Sequence, residues 1–422
     1  MENKCYKHYI NKCAPDVYRR IVDHTAPVSN LTISANLMVK NEEDCVERCL
    51  HSIIPCVDEV VVVDTGSTDR TVELIKNFNS PKIKLYHNKW EDDFSLIRNY
   101  MLKKSACDVI FSIDADEFLD EGTNIVEIRE TISHIISIFE DTVVISLSMV
   151  DSIGNKYDTV ARIFKNSCSF YYYGYVHEEL RVSRNVSLHS VSLNITLHHD
   201  GYEEEKIISK NKGNRNINLL RKTLQEESSN FRWHYFLMRD LLALKKFDDE
   251  LLQLVRKCLE KVQDRDENAY GYSKPVYVYA ILIFRHFGKI SECQNVIELL
   301  NKTHPNDIDC LYLNMLIINN KLSRNIEEAE KNLYSLKSIN SLDSILNVNK
   351  EQIIIEYFLN CFQLVKFYDF FPLLHEVNDC EKQLVFTEIR KMIKTLESKY
   401  SRANNQNDCQ VSNICQRYHG YK

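Results

Sequence analysis

The run Val109-Ile-Phe-Ser-Ile-Asp-Ala-Asp-Glu117 constrains this 422-residue chain more than any other. Four of its first five residues are apolar, and carboxylates follow at Asp114, Asp116 and Glu117. The apolar part suits a strand buried on both faces, as in a parallel sheet. The acidic part then falls just past the carboxyl end of that strand, where open α/β sheets hold their ligands. Alternate residues of an extended chain point the same way, so Asp114 and Asp116 can converge on one object. Two carboxylates that close repel unless a cation joins them, and Mg2+ or Mn2+ is the usual oxygen-liganded choice. Such an ion completes its shell with waters and substrate phosphates. The residues therefore point to a metal-bridged phosphate site at a sheet edge, with the D-x-D pattern taking its weight from the strand before it.

Upstream, the chain reads as repeated βα units. Residues 31–39 form a first strand, and Asn41 is the expected N-cap of a helix over 42–54 that buries Val46, Cys49, Leu50 and Ile53. Glu42, Glu43 and Asp44 suit the positive end of that helix. The run Glu59-Val-Val-Val-Val-Asp64 is too apolar to have a wet face and is a central strand. Gly66 permits a tight turn after it, and Ser67, Thr68 or Asp69 caps the next helix. Asp64 needs a partner, either backbone N–H groups of its own turn or a donor on a ligand such as a base imide. A third strand spans 82–86. Asp93 or Ser95 then caps a helix over about 95–104, on which Arg98 can pair with Asp92 or Asp93 or reach a phosphate. This alternation gives a right-handed, mostly parallel sheet. No G-x-G-x-x-G opens the first helix, which disfavours a dinucleotide fold.

A helix over 125–140, strands at 141–150, 160–164 and 191–197, and an aromatic cluster at 170–175 follow. The last strand runs into His198 and His199, and a histidine at a strand end near paired carboxylates is a candidate metal ligand. Beyond Glu203 strands disappear. Helical hairpins can be drawn through 233–262, 277–300 and 305–336, a degenerate period of roughly 35–40 residues that fits tetratricopeptide-like pairs. Only 9 Gly and 7 Pro argue against a β-sandwich. The boundaries expected are a helical lead-in at 1–30, an α/β domain at 31–205, an all-α domain at 206–400 and a disordered tail at 401–422. Net charge is −7 with no basic block, which excludes a nucleic-acid partner. No apolar run reaches membrane-spanning length and the N-terminus is unlike a signal peptide, so a cytoplasmic protein with its 14 cysteines reduced is expected.

In this order, Val39-Lys-Asn-Glu42, Val63-Asp-Thr-Gly-Ser-Thr-Asp69, Trp90-Glu-Asp-Asp-Phe-Ser95 with Arg98-Asn99, Phe111–Glu117, Val176-His-Glu-Glu179, His199-Asp-Gly-Tyr202 and Arg215-Asn216 resemble family-2 glycosyltransferases of the GT-A fold. The pairing with a helical half is similar to the glycocin (bacteriocin) peptide glycosyltransferases, of the sublancin S-glycosyltransferase and enterocin 96 glycosyltransferase type. The resemblance implies a Rossmann-like GT-A domain followed by a tetratricopeptide-like domain. It implies nucleotide contacts from Asn41, Glu42, Asp64 and Ser67, with Asp64 on the uracil imide. It implies Asp114 on ribose and metal, Asp116 and His199 on metal with His198 as the rival, and Arg98 and Lys210 near the diphosphate. Glu178, with His177 second, stands where the family places its general base.

The activity implied is inverting, Mg2+- or Mn2+-dependent transfer of a hexose, glucose first, from a UDP-sugar to Ser or Cys of a bacteriocin precursor peptide, with a second sugar possible in principle. A homodimer through the helical half is also implied. The alternatives are a transferase for an envelope glycan or lipid-linked sugar, and a helical scaffold with an inactive transferase domain.

Overall fold

The computed structural model describes residues 9–24, 30–122, 124–152, 154, 156–183, 187–199, 212–264, 267–320 and 353. The expected tail, Lys210 and the second helix of the third hairpin lie outside these residues. The chain divides into two compact units, the first ending at Glu226 and the second beginning at Glu227.

The first unit is built on one sheet. Its elements run β1 (Ile10–Cys13), α1 (Pro15–Asp23), β2 (Ile33–Val39), α2 (Val46–Ile53), β3 (Glu59–Asp64), α3 (Thr71–Asn77), β4 (Ile83–His87), α4 (Phe94–Lys104) and β5 (Val109–Asp114). Then follow β6 (Glu117–Leu119), α5 (Ile125–Phe139), β7 (Val143–Asp151), β8 (Lys156–Asp158), β9 (Ile163–Lys165), β10 (Phe170–Tyr173), β11 (Glu179–Val182), β12 (His189–His199) and α6 (Lys212–Glu226). The strand order is β1-β12-β7-β9-β5-β2-β3-β4, with β6 added to β12 and β8 to β7, while β10 and β11 pair separately.

The strands read from the βα repeat, β2, β3, β4 and β5, are parallel neighbours. The far half is mixed: β9 runs antiparallel to both β5 and β7, whereas β12 runs parallel to β7. The expectation of a mostly parallel sheet thus holds for one half only. The lead-in expected to be helical holds helix α1, but among its described residues Ile10–Cys13 form a strand, β1, which pairs antiparallel with β12 at the sheet edge. Its short mixed sequence, Ile-Asn-Lys-Cys, carries too little periodicity to announce that pairing.

Every residue of β3 is buried. Val60 and Val62 pack into the core shared with α1, α2 and α5, and Val61 and Val63 pack against Ile97 and Met101 of α4. Helices therefore cover both faces, which is why the run does not alternate. Each such valine contributes roughly 1.5–3 kcal/mol by leaving water. That buried frame fixes where the strands end, and so where their terminal carboxylates stand.

Helix α6 lies beyond the last strand yet joins the first unit. Thr223 Oγ1 accepts from Tyr175 N at 3.2 Å, and the Arg215 guanidinium lies 5.0 Å from the centre of the Phe94 ring. In the second unit the described residues are helical: α7 (Phe231–Ala243), α8 (Asp249–Gln263), α9 (Ser273–His286), α10 (Ile290–Thr303) and α11 (Ile308–Asn320). They reproduce the first two hairpins and the opening helix of the third. Asp248 caps α8 through Leu251 N, and Gly288, at φ +66°, makes the α9–α10 turn.

Candidate active site

Three parallel strands end side by side. Val39 of β2 stands opposite Asp64 of β3, and Met38 stands opposite Asp114 of β5. Asp64 and Asp114 thus flank one strand end, roughly 10 Å apart at the usual strand spacing.

The loops after β2 and β3 are knitted together. Asn41 N donates to Ser67 Oγ at 3.0 Å, Glu42 N to Thr71 Oγ1 at 2.7 Å, and Thr68 N to Asn41 Oδ1 at 2.8 Å. Asn41, expected as an N-cap, is not one: α2 starts at Val46, and Asn41 sits at φ +57° with its side chain on the neighbouring loop. The polar loop of 64–71 outcompetes the helix for that side chain. Asp64 accepts from Ser67 N at 3.0 Å and Gly66 N at 3.2 Å, with His87 Nδ1 3.2 Å away. Gly66 allows this turn through its φ of +105°. Burial raises the Asp64 carboxyl, but hydrogen bonds from Ser67, His87 and Gly66 outweigh it and hold the group below the ordinary carboxylate range. It stands ionised at neutral pH.

Asp114 meets two arginines. Arg98 Nη2 donates to its Oδ1 at 3.0 Å, and Arg162 Nη2 lies 3.5 Å from Oδ2. Arg98 also donates from Nε to Glu178 and from Nη1 to Ser112 Oγ at 2.8 Å. It therefore engages neither Asp92 nor Asp93, and Asp93 instead caps α4 through Leu96 N. Burial opposes the charge on Arg98, yet Glu178 and Asp114 outweigh it and raise its pKa well above the ordinary value. Arg162 donates to Glu117 Oε1 at 2.5 Å, and Glu117 Oε2 accepts from Asp114 N at 3.0 Å. Two guanidiniums thus face three carboxylates in a nearly dry cluster.

Asp116 points elsewhere, with Oδ2 3.5 Å from His199 Nε2. His199 is buried and has the same strand parity as Leu197, whereas His198 turns out to pair with Asp120 at 2.9 Å and stack on Phe118. The two histidines thus stand in different surroundings, His199 buried and His198 at the surface. The expected set Asp114, Asp116 and His199 does not assemble as three ligands: among the described residues no group of three or more His, Cys, Asp or Glu is placed to hold a metal ion. The carboxylate of Asp114 is turned to the arginines instead. Asp116 and His199 together offer one carboxylate oxygen and one imidazole nitrogen, a donor pair able to contribute to a divalent-cation site.

Glu178 precedes β11 on a loop pinned from two sides. Phe94 N donates to Tyr175 O at 3.0 Å, and His177 sits at φ +52°. Asn99 grips β10 like a neighbouring strand, donating to Tyr172 O and accepting from Tyr172 N, each at 2.8 Å. Arg162 and Glu117 carry this site yet drew no role from the sequence. Their signal was weak, because Arg162 lies inside an apolar strand-like run and its neighbours depend on the β5–β9 register.

Residues 34–135 match the family profile for Glycosyl transferase family 2. The chain is 28% identical over 288 residues, 68% of its length and 67% of the relative's, to the SPbeta prophage-derived glycosyltransferase SunS of Bacillus subtilis (strain 168). It is 31% identical over 97 residues, 22% of its length and 35% of the relative's, to the lipopolysaccharide core biosynthesis glycosyltransferase LpsC of Rhizobium meliloti (strain 1021). Of solved structures, S. aureus TarS 1-349 matches 65% of this chain and 92% of that one at 13% identity, with a TM-score of 0.38. The first unit is an α/β domain built on one mixed sheet. The chain carries a family 2 glycosyl transferase domain, and the enzyme is a glycosyltransferase.

Proposed function

We propose that the enzyme moves a hexose, glucose first, from a UDP-sugar to a Ser or Cys side chain of a bacteriocin precursor peptide, with inversion. The observation that carries this reading is the identity with SunS, which spans 288 residues and so extends well past residues 34–135. The resemblance to glycocin peptide glycosyltransferases supplies the acceptor class.

A carboxylate has about four lone-pair sites. Asp114 can therefore keep its arginines and accept a ribose hydroxyl, while Asp64, which already meets four donors, accepts the imide N–H of uracil in place of the exposed His87. Asn41, Glu42 and Ser67 serve the nucleotide by locking together the loops that wall it. Asp116 and His199 would hold Mg2+ or Mn2+, which when bound offsets the charge growing on the departing UDP. Lys210 is a further diphosphate contact by resemblance.

On the acceptor side, Glu178 takes the proton from a serine hydroxyl as it attacks the anomeric carbon opposite the leaving group. A cysteine thiol, with a pKa of ~8.5, needs less of that help. His177 orders the loop. The helical unit, read as tetratricopeptide-like over 206–400, binds the precursor or a second copy of the chain. Among the described residues no helix is long and apolar enough to cross a membrane.

A panel of UDP-sugars assayed with Mg2+ or Mn2+, with and without a Ser- and Cys-bearing bacteriocin peptide, tests the reading. The expected outcome is metal-dependent UDP release that rises with peptide. Full turnover without peptide would favour transfer to an envelope glycan, the second reading, which the partial identity with LpsC supports.

A further inference from the structure

Arg98 is buried among the site carboxylates, and each of its three guanidinium nitrogens has a partner. Nε donates to Glu178, Nη2 to Asp114 Oδ1 at 3.0 Å, and Nη1 to Ser112 Oγ at 2.8 Å. Two of these partners, Ser112 and Asp114, belong to β5, whereas Glu178 sits on the loop that ends the β10–β11 connection. The side chains of Arg98, Glu178 and Asp114 are 9%, 11% and 14% exposed, so little water screens the two pairs. The next residue, Asn99, fixes the backbone of Tyr172 on β10 from the same turn of α4. One turn of one helix thus sets both the strand leading to Glu178 and the side chain of Glu178 itself.

We propose that Arg98 is a positioning residue that fixes the acceptor-side carboxylate Glu178 against the donor-side carboxylate Asp114, so that one guanidinium sets the distance between the two halves of the reaction. The inference rests on Glu178 acting as the base. The planar fork of arginine suits the task, because three acceptors in different directions hold it in one orientation. A lysine at this position offers one nitrogen and cannot reach all three.

The test is a double-variant cycle in kcat at saturating UDP-sugar, with Arg98→Gln and Glu178→Gln made singly and together in the full chain. Glu178→Gln should lose about 100-fold or more, the ordinary scale of a general base. Arg98→Gln should lose roughly 10- to 100-fold, as expected when a catalytic group drifts by an ångström. If Arg98 acts through Glu178, the double variant is no slower than Glu178→Gln within about twofold. Losses that multiply, or an Arg98→Gln enzyme with full kcat, overturn the inference. An active Glu178→Gln enzyme overturns the base assignment itself and the inference with it. Should Arg98→Gln fail to fold, Ser112→Ala leaves both ion pairs and removes the acceptor of Nη1, together with the bond Ser112 shares with the Tyr172 side chain. Its kcat should fall about two- to fivefold beside Glu178 and not at all beside Gln at position 178.

Discussion

Removing Glu117 should strongly destabilise the first unit. Its side chain is fully buried, accepts from Arg162 Nη2 at 2.5 Å, and accepts from Asp114 N at 3.0 Å. Taking away one partner of a buried ion pair costs about 3–5 kcal/mol, because the other charge is left in a dry place. Arg162 keeps a second partner in Asp114, 3.5 Å away, which moves the cost to the lower end of that range. The orphaned Asp114 N–H adds about 1–3 kcal/mol. Glu117→Ala should therefore lose roughly 4–6 kcal/mol, which lowers the Tm of a unit this size by about 10–20 °C. Glu117→Gln keeps an acceptor for the N–H and should lose about half as much. Calorimetry of the full chain reads both values. A Glu117→Ala transition within about 3 °C of the parent would refute the claim that Arg162 depends on Glu117.

The two histidines at the end of β12 should separate cleanly. His199→Ala should cut metal-dependent turnover about 10- to 100-fold and weaken activation by Mn2+, whereas His198→Ala, altering an exposed pair with Asp120, should stay within about threefold. Equal losses from both would dissolve the Asp116–His199 pairing as a metal site. A pH effect comes from His134. Burial depresses its pKa, only partly offset by its bond to Ile21 O at 2.8 Å. A histidine neutral in the fold stabilises it above the unfolded value of about 6.5, and that contribution is lost as pH falls from there through the depressed folded value. His134→Gln should flatten the loss of stability in this acidic window, as read by urea unfolding at several pH values. An unchanged slope would rule His134 out as its source.

Much of the transferase frame was legible because its signals are local. The apolar runs of β3 and β5, the latter interrupted only by Ser112, required burial on both faces, and Asp93 capped α4 as its position before the helix suggested. The mixed half was not legible, because β9 and β12 find partners far away in sequence. Asn41 misled because a residue able to cap a helix can also bridge two loops. The position of His199 could have been read from the alternation of Val191, Leu193, Ile195 and Leu197 as buried positions of one strand face. Arg162 could not, since nothing in Val160-Ala-Arg-Ile-Phe164 distinguishes a guanidinium among carboxylates from one in water. The boundary near residue 205 marks where strands stop, yet α6 completes the first unit through Thr223 and Arg215. Position along the chain decides less here than which loop a helix must cover.

The most direct measurement is the intact mass of a Ser- and Cys-bearing bacteriocin peptide after incubation with the enzyme, UDP-glucose and Mn2+, beside an Asp116→Ala control. The account predicts a hexose-sized gain with the parent enzyme and none with the control, and treatment with base then distinguishes an O-linked from an S-linked product. A peptide of unchanged mass while UDP is released would contradict the peptide as acceptor, and an equal gain with Asp116→Ala would contradict the metal site.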